Sequence, residues 1–205
     1  MIATSLVEYK RMNIPGGPPK LSSGCLYQYI WAKNGNFVYA ENEFFRVLMP
    51  LKTWKTEDSR QIVRGLAPLQ PYLHLASGRV SKVILHEIIA RSRTNPRNEM
   101  LFYITGEPSA KMWWAFMPKQ EQRPSSCRSL EQYHYTPIEI HSHNTMSAFF
   151  SDTDDAEETG LRIYAVIGRV DQPVVDIRVR VSVYGHYWTI PYEWVFEQPV
   201  EVQNA

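Results

Sequence analysis

The sequence is poor in cysteine, in long apolar runs and in net charge. Only two of its 205 residues are cysteine, Cys25 and Cys127. Neither belongs to a paired-cysteine motif, so we expect reduced structural thiols, and no further feature favours a nucleophilic role for either. No apolar stretch approaches the length of a membrane span. The net charge of +1 gives no general electrostatic reason to expect a nucleic acid or a membrane as partner.

The start of the chain also lacks a basic region followed by an apolar run, which leads us to expect a cytoplasmic protein. Hydrophobic residues make up 44% of the sequence, enough for a sizeable core. The length fits one domain with a substantial N-terminal addition. We therefore expect an extension over residues 1–75 and a main domain over residues 76–205.

The N-terminal extension is expected to be rich in strands. Residues 26–32 and 37–40 are aromatic and β-branched and flank an Asn-Gly pair, a strong hairpin signal, and residues 44–51 add a third strand. The polar, proline-bearing residues 52–71 are a plausible boundary.

The remainder alternates between helix and strand patterns. Val83, Ile84 and Ile88 recur at helical spacing and predict a helix near residues 80–92. We predict strands over 100–105, 112–117, 138–143, 161–170 and 174–184, a short helix over 152–159, and a polar loop over 118–132. This order predicts an α/β fold with a mixed, mostly antiparallel central sheet flanked by helices.

Two histidines and an aspartate form the most informative constellation. His141 and His143 alternate on a strand and so share one face, and Asp154 follows at the next helix start. Such a set can supply three ligands to zinc and leave the fourth position for water. Each part has a simpler explanation, because the histidines can be solvent-facing and Ser151 to Asp154 resembles a helix capping box.

Together these residues resemble the signature of the JAMM/MPN metalloproteases, which is His-Ser/Thr-His-Pro, six residues, Ser, two residues, Asp. The one departure is Asn144 in place of the proline, which removes no ligand. The run after Ser151 is similar to bacterial JAB proteins, especially the protein A family of PRTRC gene cassettes. The resemblance implies an MPN-like sandwich and a Zn²⁺ ion held by His141, His143 and Asp154.

The resemblance also implies catalytic roles. The family's upstream glutamate stands in a Glu-x₆-Gly pattern, which Glu99 to Gly106 fits, so Glu99 is the expected general base. Its rival is Glu87, which a helical wheel places on the apolar side of the first helix, and Glu139 is expected to be a supporting or rim residue. Ser151 occupies the position whose hydroxyl stabilises the oxyanion.

The implied activity is cleavage of the amide bond after the C-terminal glycine of a ubiquitin-like protein. Expected partners are that protein or its conjugates, together with E1-like and E2-like proteins of the same gene cluster. The alternative is a zinc-bearing, non-catalytic scaffold of a bacterial ubiquitin-like conjugation or plasmid-borne assembly. Scattered arginines give little support to nucleic-acid binding. For the aromatic pairs 113–114 and 149–150, core packing is the favoured role over gripping a glycine tail.

Overall fold

A computed structural model describes residues 5–53, 63–131, 136–198 and 202–205. The chain divides into two compact units, Met1–Ala76 and Ser77–Ala205. Part of the polar stretch predicted as a boundary, residues 54–62, lies outside the described residues. In the part of the chain that is described, no helix has both the length and the apolar character needed to cross a bilayer.

The first unit is a five-stranded sheet in sequential strand order. Its first two strands are parallel and the others pair antiparallel. The predicted hairpin is confirmed, with Ala32 paired to Gly35 across a two-residue loop; a side chain at Gly35 would overlap the main chain of Lys52. Phe37, Leu48 and Leu69 are among the side chains of its core. The strands are β1 (Val7–Arg11), β2 (Tyr27–Ala32), β3 (Gly35–Glu41), β4 (Phe45–Thr53) and β5 (Tyr72–Leu75).

The second unit is built on a mixed sheet with few helices. Its elements are α1 (Lys82–Arg93), β6 (Leu101–Glu107), β7 (Met112–Phe116), β8 (Gln120–Arg123), β9 (Ser126–Ser129), β10 (Ile138–Ser142), α2 (Asp152–Glu157), β11 (Leu161–Gly168), β12 (Val175–Val183), β13 (His186–Ile190) and β14 (Val202–Asn204). The strands of the sheet run in the order β13-β12-β11-β10-β6-β7, with β14 beside β12. All neighbours are antiparallel except β10 with β11 and β12 with β14.

Two local predictions for this unit are wrong. The buried face of α1 carries Leu85, Ile88 and Ile89, whereas Val83 and Glu87 are exposed. The helix begins after the N-cap Ser81. The face that it buries includes Leu85, which was not part of the predicted apolar pattern. The polar loop predicted over residues 118–132 contains the antiparallel hairpin β8–β9.

Candidate metal centre

The two histidines lie at the end of β10, a central strand between β6 and β11. His141 is within the strand and His143 is one residue beyond it, with its N–H donating to the Ile167 carbonyl of β11 at 2.7 Å. Their Nε2 atoms are 3.1 Å apart. Burial lowers the pKa of His141 to about 4 and also lowers the pKa of His143. Both rings are therefore neutral at pH 7, the state in which imidazole binds metals.

Asp154 reaches the same point from the first turn of α2. Ser151 is the N-cap, and its main-chain N–H and its hydroxyl both donate to Oδ2 of Asp154 at 2.6 Å. The predicted capping box is thus present. Because it holds Oδ2, it leaves Oδ1 facing Nε2 of His141 at 3.4 Å. The helix cap therefore also orients the carboxylate.

These three side chains fit a zinc ion. One donor atom from each of His141, His143 and Asp154 lies within 4.8 Å of the others. Zinc bonds of about 2.0–2.1 Å give a tetrahedron with edges of about 3.3 Å. The observed separations of 3.1 Å and 3.4 Å are close to that edge. Two neutral imidazoles and a carboxylate are also a common zinc donor set.

Glu99 lies beside this cluster. It is 5% exposed, and its Oε1 is 4.0 Å from Nε2 of His143. Burial raises its pKa to about 7, and the negative charge of Asp154 adds to the rise. The alternative base, Glu87, is exposed on α1 and is not among the described residues that line the cleft around the histidines.

The cleft has a volume of 460 Å³. One wall is the hairpin β8–β9, which contributes Arg123, Cys127 and Arg128. The hairpin is fixed to the start of β6, where the amide of Gln120 both donates to and accepts from the main chain of Leu101. The segment interpreted as a loop is therefore a structured wall of the site.

The short helix α2 is fixed to the sheet by one buried arginine. The guanidinium of Arg180, on β12, donates to Glu158 at 2.6 Å and to Asp155 at 2.5 Å. It also lies against the rings of Phe150 and Tyr187, at 3.9 and 4.2 Å from their centroids. Because Asp154 belongs to this helix, Arg180 supports the position of one candidate ligand.

The rim of the cleft differs from the sequence expectation. Phe149, which lines the cleft, is 38% exposed and presents its ring edge-to-face to His143 at 4.5 Å, so core packing is wrong for it. Core packing is also wrong for Trp114, which is 44% exposed and is not among the described residues that line the cleft. Glu139 lines the cleft and is paired with Arg162 at 2.8 Å. Burial raises the pKa of the Cys127 thiol, which keeps it protonated and a poor nucleophile.

This geometry agrees with the comparison with known families. Residues 81–182 match the family of prokaryotic homologs of the JAB domain. The matched range, residues 81–182, which we call the JAB-like region, contains both histidines, Asp154, Ser151 and Glu99. No curated protein matches the chain. A solved structure, protein DSY2949 from Desulfitobacterium hafniense, matches with a TM-score of 0.37 and 13% identity, covering 61% of this chain and 90% of that chain.

Sequence reasoning missed several residues that shape the site of the JAB-like region. Ser142 lies between the histidines and is buried, and it exchanges hydrogen bonds with the main chain of Met100, next to Glu99. Arg180 carries no local signal, because its partners lie more than twenty residues away. For the hairpin, the Pro-Ser pair at 124–125 was the one available turn signal.

Proposed function

We propose that the JAB-like region is a zinc-dependent peptidase or isopeptidase that cleaves the amide bond after the C-terminal glycine of a ubiquitin-like protein. The observation that carries the proposal is the convergence of His141, His143 and Asp154 with a buried glutamate 4.0 Å from one of the ligand nitrogens. The JAB domain family includes metalloisopeptidases, although many of its prokaryotic members are inactive. An intact set of ligands and base supports assignment to the active members.

The metal would be held by Nε2 of His141, Nε2 of His143 and Oδ1 of Asp154. When bound, zinc supplies a Lewis acid that polarises the scissile carbonyl and lowers the pKa of its water towards ~7. The ligands keep their roles without a change of protonation, since both imidazoles are neutral at pH 7.

Glu99 would move the proton. Its carboxylate accepts a proton from the attacking water as the oxygen–carbon bond forms, and passes it to the amine as the carbon–nitrogen bond breaks. Its raised pKa of about 7 suits a group that must both accept and release a proton near neutral pH. A nearby dication would lower that pKa and favour the accepting form.

Ser151 would donate a hydrogen bond to the oxyanion formed during attack. In the structure its hydroxyl instead donates to Oδ2 of Asp154. The role therefore requires the hydroxyl to rotate towards substrate, while the main-chain N–H of Ser151 keeps its own bond to Oδ2. Ser151 can thus serve both roles only if its hydroxyl leaves Asp154 for the oxyanion while its main-chain N–H stays bonded to Asp154.

The substrate class rests on the resemblance to bacterial JAB proteins and to the PRTRC protein A family. We take a ubiquitin-like protein or its conjugate as the substrate, with E1-like and E2-like proteins as candidate partners. The second candidate function is a non-catalytic zinc scaffold. The buried Glu99 argues against it, because burying a carboxyl group beside the ligands is unfavourable and a scaffold has no use for it.

The test is hydrolysis of reporter conjugates of a panel of ubiquitin-like proteins that end in glycine, with zinc content measured on the same samples. We expect wild type to hold zinc and cut, and Glu99→Gln to hold zinc and lose turnover by at least about 100-fold, as for a general base. Glu87→Gln is the matched control and should cut normally. If wild type holds zinc and cuts no conjugate while binding one, the scaffold function replaces the peptidase.

A further inference from the structure

Asn144 directly follows the second histidine and has an unusual backbone. Its φ of 51° lies in the left-handed region, which Asn tolerates better than most residues and which proline, with φ fixed near −65°, cannot adopt. Its carbonyl accepts from Val170 N–H at 2.8 Å. The chain thus leaves the histidine strand by a turn that the proline of the JAMM signature cannot form.

The Asn144 side chain is buried and points at two carbonyl oxygens. Its Nδ2 donates to the Pro124 carbonyl at 2.9 Å, and more weakly to the Arg97 carbonyl at 3.4 Å. Only the NH₂ side of the amide suits two acceptors. Within the described residues the Oδ1 atom is buried without a hydrogen-bond partner, so this side chain contributes through its donors.

Both acceptors adjoin the segment that carries Glu99. Pro124 lies in the turn of the hairpin β8–β9, and the preceding residue, Arg123, accepts a hydrogen bond from Glu99 N–H at 2.9 Å. On the other side, Met100 N–H donates to the Ser142 hydroxyl at 3.0 Å. The Glu99 main chain is thus held between the histidine strand and the hairpin turn.

We propose that Asn144 is a positioning residue that braces the hairpin turn against the histidine loop and thereby fixes Glu99 beside the metal ligands. The inference rests on the proposed function for its catalytic consequence, but the brace itself is a structural claim. Asn144 is not among the described residues that line the cleft. The Asn144 amide donates to the Pro124 carbonyl, and the neighbouring Arg123 carbonyl accepts from the N–H of Glu99.

The test uses Asn144→Gly in the full chain, which keeps the left-handed backbone and removes the amide. The readout is hydrogen exchange of the Glu99 amide, followed by NMR. A net loss of about 1 kcal/mol for one hydrogen bond predicts exchange about fivefold faster. The Met100 amide, held by Ser142, should change less than twofold. Asn144→Asp, of the same shape but without donors, should also accelerate Glu99.

Lys111→Gly is the matched control, because Lys111 also has a left-handed backbone, with φ of 53°, and is exposed. The inference is overturned if Glu99 exchange in Asn144→Gly stays within twofold of this control, or if Glu99 and Met100 accelerate equally. In Asn144→Gly with unchanged zinc content, we expect kcat to fall and KM to stay the same. If zinc-loaded wild type cuts nothing, the proposed function fails. The exchange rate of the Glu99 amide still tests whether Asn144 holds Glu99 in place.

Discussion

Replacing Arg180 by methionine should remove the contacts that attach α2 to the sheet and so destabilise the folded protein. The guanidinium is 6% exposed and Glu158 is 5% exposed, so the substitution leaves a buried carboxylate without its cation. Methionine fills a similar volume between Phe150 and Tyr187 but offers no charge. Removing one partner of a buried ion pair typically costs about 3–5 kcal/mol.

The other contacts of Arg180 add less to this figure. Asp155 is half-exposed, so its pair with Arg180 is worth at most about 1 kcal/mol. Burial raises the pKa of Glu158, and the guanidinium acts against that rise. Without Arg180 the folded-state pKa of Glu158 rises further above its unfolded value. Because the wild-type pKa of Glu158 is already raised to about 8, both proteins lose stability alike up to that pH. The variant, whose pKa is higher still, goes on losing stability above it, so the deficit should be larger at pH 9 than at pH 6.

The assay is urea unfolding of wild type, Arg180→Met and Arg180→Met with Glu158→Gln, at both pH values. We expect Arg180→Met to lose about 3–5 kcal/mol at pH 9, and the double variant to recover roughly half, because it no longer buries a charge. Zinc affinity should fall in the single variant. A loss under about 1 kcal/mol, or one that is equal at both pH values, would refute the reasoning.

Three further substitutions probe the site. Gly168→Ala places a Cβ against the main chain of Ser147 and Ala148, so we expect thermal unfolding to show a stability loss of about 1–3 kcal/mol. The control Gly17→Ala has open space around it and should change stability little, and equal effects would contradict this packing. Ser151→Ala removes the cap and a donor to Asp154, so the unfolding free energy should drop by about 1 kcal/mol. Zinc should also bind more weakly in a chelator competition, and unchanged zinc affinity would show that the cap does not orient the carboxylate. His141→Ala should retain less than one tenth of wild-type zinc by metal analysis, and full zinc content would place the metal elsewhere.

The sequence was informative wherever a local pattern sets the structure. The Asn-Gly pair predicted the hairpin β2–β3, and the alternation around His141 predicted that the two imidazoles meet on one face. Ser151 and Asp154 three residues apart predicted the capping box. Each of these depends on residues that are neighbours in the chain.

The sequence failed where distant contacts decide. The hairpin β8–β9 is polar on both faces and has no apolar alternation, and it is held by contacts such as that of Gln120 with Leu101. The exposure of Phe149 likewise depends on the loop that follows the histidines. The helix α1 is a different case, because its buried residues Leu85, Ile88 and Ile89 do recur at helical spacing, and the prediction had omitted Leu85.

The most direct test of the account is zinc titration of metal-stripped protein, with hydrolysis of a glycine-linked reporter conjugate of a ubiquitin-like protein as the readout. The account predicts that activity is absent at the start, rises linearly and saturates at one zinc per chain, and that Glu99→Gln binds the same zinc without gaining activity. Cleavage by the stripped protein, or full turnover by zinc-loaded Glu99→Gln, would contradict it.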